Sequence, residues 1–154
     1  MTQLLWQALC AALGTLSFAV LFHVQPRFYG RCAITGGVGW LVYLLAMQQG
    51  ADPVLATFAA SLPLAVLARV FSVKGKAPVT VFLICGIFPL VPGAGIYYAA
   101  YYFVQGHRSL FGLKIVEVIK VALALALGIA AVLSVPLPGH RVYGPRGEDR
   151  APRR

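Results

Sequence analysis

Acidic side chains are nearly missing from this sequence. Asp and Glu together number 4 in 154 residues, and charged residues of all kinds make up 11%. A soluble domain normally carries about 25% charged residues. With 60% of the chain hydrophobic, too little polar surface remains to wrap a water-soluble core, and lipid becomes the natural solvent. Catalytic patterns are missing too. No intramembrane Ser/His or Asp/Asp pairing and no HExxH motif occurs, which argues against an embedded enzyme. Cys10, Cys32 and Cys85 form no CxxC pair, and His23, His107 and His140 sit at segment ends without a ligand-like neighbour. Neither a metal site nor a disulfide is expected, and the cysteines within apolar runs read as packing residues. No Lys or Arg precedes Arg27, so the first stretch lacks the basic start of a signal peptide and reads as a retained helix.

What is present is a series of apolar runs. They cover Leu4 to Val24, Cys32 to Met47, Pro53 to Phe71, Val79 to Val104 and Leu113 to Val135. A helix needs roughly 20 apolar residues to cross a bilayer. The fold class is therefore an all-α integral membrane protein of about five transmembrane helices. The second run is the shortest, and four spans result if it is re-entrant. Residues 1–136 form the transmembrane domain, and 137–154 read as a flexible basic tail.

The net charge is +9. The basic residues lie between apolar runs and in the tail, not on one amphipathic face, so they read as orientation signals and not as a nucleic-acid surface. With five spans and an outside N-terminus, Arg27, Arg31, Arg69, Lys74 and Lys76 fall at inner connections. Arg141, Arg146, Arg150, Arg153 and Arg154 join them in a cytoplasmic tail. The outer connections hold Asp52, Arg108 and Lys114, with Lys120 further along. Inner loops rich in Lys and Arg are the expected pattern.

The fourth run carries the most informative feature, Pro89-Leu90-Val91-Pro92-Gly93. About ten residues precede it and about eleven follow. At about 1.5 Å per residue each half covers roughly half of a bilayer core, so the interruption falls near mid-membrane. Pro89 offers no N–H to the carbonyl of Cys85, nor Pro92 to that of Phe88. Phe88 and Val91, each preceding a proline, are expected to leave helical geometry. Gly93 and Gly95 permit close approach by a ligand. A second half-helix starting near Gly93 would aim its free N–H groups and positive dipole end at the membrane centre, an arrangement suited to a carboxylate. Such groups must be buried in protein or line a wet cavity, and transporters use discontinuous helices in this way. A kink that only shapes packing is the competing reading; Pro63 in the third run reads that way.

The run Phe88-Pro89-Leu90-Val91-Pro92-Gly93-Ala94-Gly95-Ile96-Tyr97 resembles the signature of the threonine/serine exporter (ThrE) family, and more closely its small membrane component of the YjjB type. Phe22-His23-Val24-Gln25-Pro26-Arg27, then Arg31-Cys32-Ala33 and a Gly-rich helix, agree with it. The resemblance covers about residues 5 to 140. It implies export of threonine and serine, or of a dicarboxylate such as succinate, across the cell (inner) membrane. It also implies a separately encoded, larger YjjP-like membrane subunit, a driving ion gradient, no cofactor and no catalytic nucleophile. A non-transporting scaffold or assembly subunit of a larger membrane complex is the alternative.

The candidate substrate or gating residues are Pro89, Pro92, Gly93, Gly95 and Tyr97, the last one turn past the break. Tyr101 and Tyr102 read as an interfacial aromatic belt. Arg31, Gly36 and Gly37 are candidates for gating or orientation. Glu117 is the acid placed inside an apolar run, with Lys114 and Lys120 three residues to either side on one helical face. It reads either as a coupling or substrate-binding group, or as an ion pair whose lysines snorkel. Asp52-Pro53 reads as a helix cap. Small-residue seams at Gly36, Gly37 and Gly39, at Ala56 and Ala60, and at Ala122, Ala126 and Ala130 predict close helix neighbours, in this chain, a second copy or a partner subunit.

Overall fold

A computed structural model describes residues 2–135, and these form helices joined by short turns with no strand among them. Helix α1 spans Thr2–Leu21, and a 3-10 turn at Pro26–Phe28 leads into α2, Tyr29–Gln48. Helix α3 is Pro53–Gly75 and α4 is Val79–Ile87. A 3-10 turn over Phe88–Leu90 precedes α5, Gly93–Val104, and α6 runs Arg108–Ser134. The tail expected over 137–154, with its five arginines and His140, lies outside the described residues.

Four helices are long and apolar enough to cross a membrane singly. The α4 and α5 segments form a fifth candidate, bent by 52° at the break. The described residues thus hold four spans, or five where the bent pair counts as one. The short second run proves to be a full helix of 20 residues. Tyr29, Gly30 and Arg31 extend it, because one charge and one glycine at a helix start end the apolar run without ending the helix.

Helix ends are closed by a repeated backbone device. His23 and Lys76 adopt left-handed geometry, as do Gly50 and Gly106. Each sits where the chain folds its last N–H groups back onto the final turn. His107 N–H, for example, donates to Tyr102 O at 2.9 Å, and Gly106 N–H to Phe103 O at 3.1 Å. The carbonyls a helix leaves unpaired are thereby satisfied. At the start of α3, Asp52 Oδ2 accepts the Val54 N–H at 3.2 Å, so Asp52 is the cap.

Small residues set the packing, as association in lipid requires. Helix α2 is central. A side chain at Gly36 would strike Thr15 of α1, its Cβ lying 2.8 Å from that of Thr15. At Gly37 it would approach Ala12, and at Gly39 it would meet Leu64 of α3. Gly86 of α4 sits against Thr35 and Leu64, and Gly128 of α6 against Ser61. Ala56 and Ala60 are fully buried. The α6 seam has no neighbour within the described residues of this chain. Ala122, Ala126 and Ala130 are exposed, and the helix packs through Val118, Val121, Ala124, Leu125 and Gly128 instead. A spacing of four marks a face, and here the face turned to α3 is the one that carries Gly128 against Ser61.

Arg27, Arg31, Arg69, Lys74 and Lys76 gather at one end of the bundle. Arg27 and Arg31 both lie over the Phe28 ring, at 4.6 and 5.7 Å. A side chain at Gly75 would come within 2.7 Å of Arg31 Nη1, which places the start of α2 beside the end of α3. Arg69 donates to Val132 O, closing a carbonyl in the last turn of α6.

Candidate functional site

The break has a defined backbone path. Phe88, expected to leave helical geometry, keeps it at φ −52°, ψ −43°. Its ring stacks on Phe18 of α1, with centroids 3.7 Å apart and planes at 11°. Phe22 lies alongside at 5.7 Å. This packing outweighs the local preference that the following proline imposes. Val91 does leave the helix, at φ −64°, ψ 131°, while its N–H still reaches Ile87 O at 3.1 Å. Pro92, at φ −75°, ψ 53°, forms an inverse γ-turn in which Gly93 N–H donates to Val91 O at 2.7 Å.

The first helical hydrogen bond of α5 runs from Ile96 N–H to Pro92 O at 3.0 Å. Gly93 N–H is therefore spent within the break. The N–H groups of Ala94 and Gly95 carry the open donors, with no acceptor among the described residues. A Cβ at Gly93 would meet nothing within 4 Å, whereas one at Gly95 would lie 2.7 Å from Val118 Cγ2 of α6. Gly95 is the close-approach glycine.

Ala94 and Gly95 also line a cavity of about 300 Å³. Leu90, Pro92, Ala94, Gly95 and Tyr98 form the wall from the break and α5. Trp40 and Tyr43 of α2 form a second wall, stacked with ring centroids 5.1 Å apart. Pro53 and Thr57 come from α3, and Lys114, Glu117, Val118 and Val121 from α6. The Thr57 hydroxyl donates to Pro53 O at 2.7 Å, which leaves its oxygen free to accept. Lys114 Nζ and Glu117 Oε2 form an ion pair at 2.8 Å, with the two side chains 30% and 47% exposed.

The structure thus joins Pro92, Gly95 and Glu117, three of the residues singled out by sequence, in one cavity. Pro89 lines a different groove on the other side of the break, an apolar one of about 360 Å³ that shares only Trp40 with the first. Tyr97 is 65% exposed and outside the cavity, while Tyr98 lines it. Lys120 is exposed, and the partner of Glu117 is Lys114. Arg31, Gly36 and Gly37 lie away from the cavity in the packing described above; Arg31 Nη1 is buried without a hydrogen-bond partner. Among the described residues no cluster of His, Cys, Asp or Glu could hold a metal ion.

Sequence reading passed over Trp40, Tyr43, Thr57, Tyr98 and Lys114 as site residues. Part of the signal was there. Glu117, Val121, Ala124 and Gly128 recur at helical spacing, which puts Glu117 in line with the face that α6 turns to the bundle. On α5 that role falls to Gly95 and the buried Ala99, with Tyr98 beside them.

A family model described as Threonine/Serine exporter, ThrE, matches residues 7–135. A Haemophilus influenzae protein described as uncharacterized is 30% identical over 148 residues, covering 93% of this chain and 49% of that protein. A Mycobacterium tuberculosis protein described as a probable threonine/serine exporter is 29% identical over 135 residues, covering 87% of this chain and 25% of that protein. The chain spans half the length, or less, of these curated relatives. No solved structure matches. The family match takes in the break and every wall of the cavity, and its description as a family of exporters agrees with the apolar, membrane-length helices. The chain belongs to the threonine/serine exporter family.

Proposed function

We propose that this chain is the small subunit of a two-part secondary exporter in the cell membrane. Its substrate, threonine, serine or a related small carboxylate such as succinate, occupies the cavity between the break and α6 on its way out. The observation that carries this reading is the joining of open N–H donors at Ala94 and Gly95 with the Lys114–Glu117 pair in one cavity. Donors of this kind cannot face lipid and need water or a ligand. At a helix start they suit a carboxylate. The dipole contributes about 0.3–1 kcal/mol, and each hydrogen bond to a charged group about 1.5–3 kcal/mol. The cavity volume lies at the small end of the roughly 300–1,000 Å³ that ligand sites occupy, which fits a substrate of few atoms. The names of the family and of the Mycobacterium relative supply threonine and serine; the donors themselves accept any carboxylate.

The open side of the cavity supports a second membrane subunit in this reading. An ionised residue set against lipid at mid-helix costs about 2.5–3.5 kcal/mol, so a half-exposed ion pair calls for a cover, either a larger partner of the same family or a second copy of this chain. The gathering of Arg27, Arg31, Arg69, Lys74 and Lys76 at one end supports a cytoplasmic placement of that end, with the N-terminus outside and the C-terminus inside. The test is efflux of preloaded threonine, serine and succinate from cells carrying this chain, the partner subunit, or both. Only the pair should export. Full export by this chain alone overturns the two-part arrangement, and no movement of any of the three substrates overturns the transport reading.

A further inference from the structure

We propose that the Lys114–Glu117 pair is the specificity determinant of the cavity, opening to exchange partners with a zwitterion. The substrate's ammonium replaces Lys114 on the Glu117 carboxylate, and the substrate's carboxylate is taken by Lys114 and the break. This rests on the cavity being the substrate site. Three features carry it. The pair supplies the two formal charges of the lining, one of each sign, so the wall is neutral as a whole. Neither side chain makes another hydrogen bond among the described residues. Contacts three residues apart on one helix are weak, and both groups are partly exposed and line the cavity.

An α-amino acid holds its opposite charges one carbon apart, which matches a pair whose charges are in contact at 2.8 Å. Each charge keeps a partner throughout the exchange, as a desolvated ion requires. A substrate without the ammonium finds Lys114 and the N–H donors but is repelled by Glu117. The donors at the break accept carboxylates of every kind, so discrimination falls to Glu117. The penalty against the wrong substrate is an unneutralised like charge, the usual form of rejection in selective sites.

The test compares threonine with 3-hydroxybutyrate, which differs from it by lacking the ammonium group. Efflux of both is measured in the native membrane complex, normalised to inserted protein. Wild type should favour threonine. Glu117→Gln should lower the threonine to 3-hydroxybutyrate ratio about tenfold or more, the size expected for losing one charge-assisted hydrogen bond. Glu117→Asp should recover most of the ratio. Lys114→Gln should move it the other way, because Glu117 is then uncompensated; this variant decides the matter if Glu117→Gln does not insert. An unchanged ratio in both neutral variants, or equal loss of the two substrates in Glu117→Gln, overturns the proposal. Failure of the underlying reading is seen separately, as unchanged efflux of both compounds when Gly95→Leu fills the α5–α6 contact.

Discussion

Gly95 gives the sharpest structural prediction. A Cβ there would lie 2.7 Å from Val118 Cγ2, where ordinary contact begins at 3.4 Å. Gly95→Ala is therefore too close by about 0.7 Å. Val118 is buried at 8% exposure, and a β-branched residue in a helix has one strongly preferred rotamer, so the strain passes to the separation of α5 and α6. Overpacking by one methyl costs about 1–3 kcal/mol. Removing a helical glycine returns about 0.5–1 kcal/mol. The net effect is a destabilisation of roughly 0–2.5 kcal/mol, small enough for the protein to insert and fold. The functional effect should be larger, because the displaced turn carries the Ala94 and Gly95 donors. Efflux of preloaded threonine, from cells whose chromosomal copy carries the variant, should fall severalfold per inserted molecule. Gly95→Leu should abolish it. Val118→Ala removes the opposing methyl and should restore much of the activity to Gly95→Ala. Gly112→Ala, where a Cβ meets nothing within 4 Å, is the control. Wild-type efflux from Gly95→Leu, or no rescue by Val118→Ala at normal protein levels, would refute the reasoning.

Three other outcomes follow from the fold. His23 holds a left-handed φ of 53°, which costs a non-glycine residue about 1–2 kcal/mol; His23→Gly should raise stability by about 1 kcal/mol in detergent thermal melts, and a lowered midpoint counts against it. Asp52→Ala removes the α3 cap and should cost about 1 kcal/mol, with Asp52→Asn close to neutral in the same assay. Gly128→Leu should open the α3–α6 contact and make the chain protease-sensitive in membranes, since even a Cβ would lie 3.0 Å from that of Ser61.

Much of the fold was legible because lipid allows few solutions. Apolar runs gave the helices, and paired prolines marked where one of them breaks. Tertiary packing decided what local rules left open. Phe88 stayed helical because Phe18 holds its ring, and of the two residues that precede a proline Val91 left the helix. The second run was underestimated because hydropathy stops at Arg31 while the backbone does not. Ala122, Ala126 and Ala130 face outward from the described residues, so their spacing marks a stripe whose neighbour lies outside this chain's own packing. The site was half legible. Pro92 and Gly95 announce a break, and Glu117 is conspicuous as an acid in an apolar helix. That these meet across one cavity, with Trp40 and Tyr43 closing it, depends on α6 packing on α5 while α2 packs on α4 and the turn at the break, and no local pattern encodes that.

The central claim is that a small carboxylate-bearing substrate sits against the first turn of α5. Its most direct test is thiol labelling of Ala94→Cys in a Cys10→Ser background, where the remaining native cysteines, Cys32 and Cys85, are buried. A water-soluble thiol reagent should reach position 94, and added threonine should slow the labelling in a saturable way. Labelling at the same rate with and without threonine, or no labelling at all, would contradict the account.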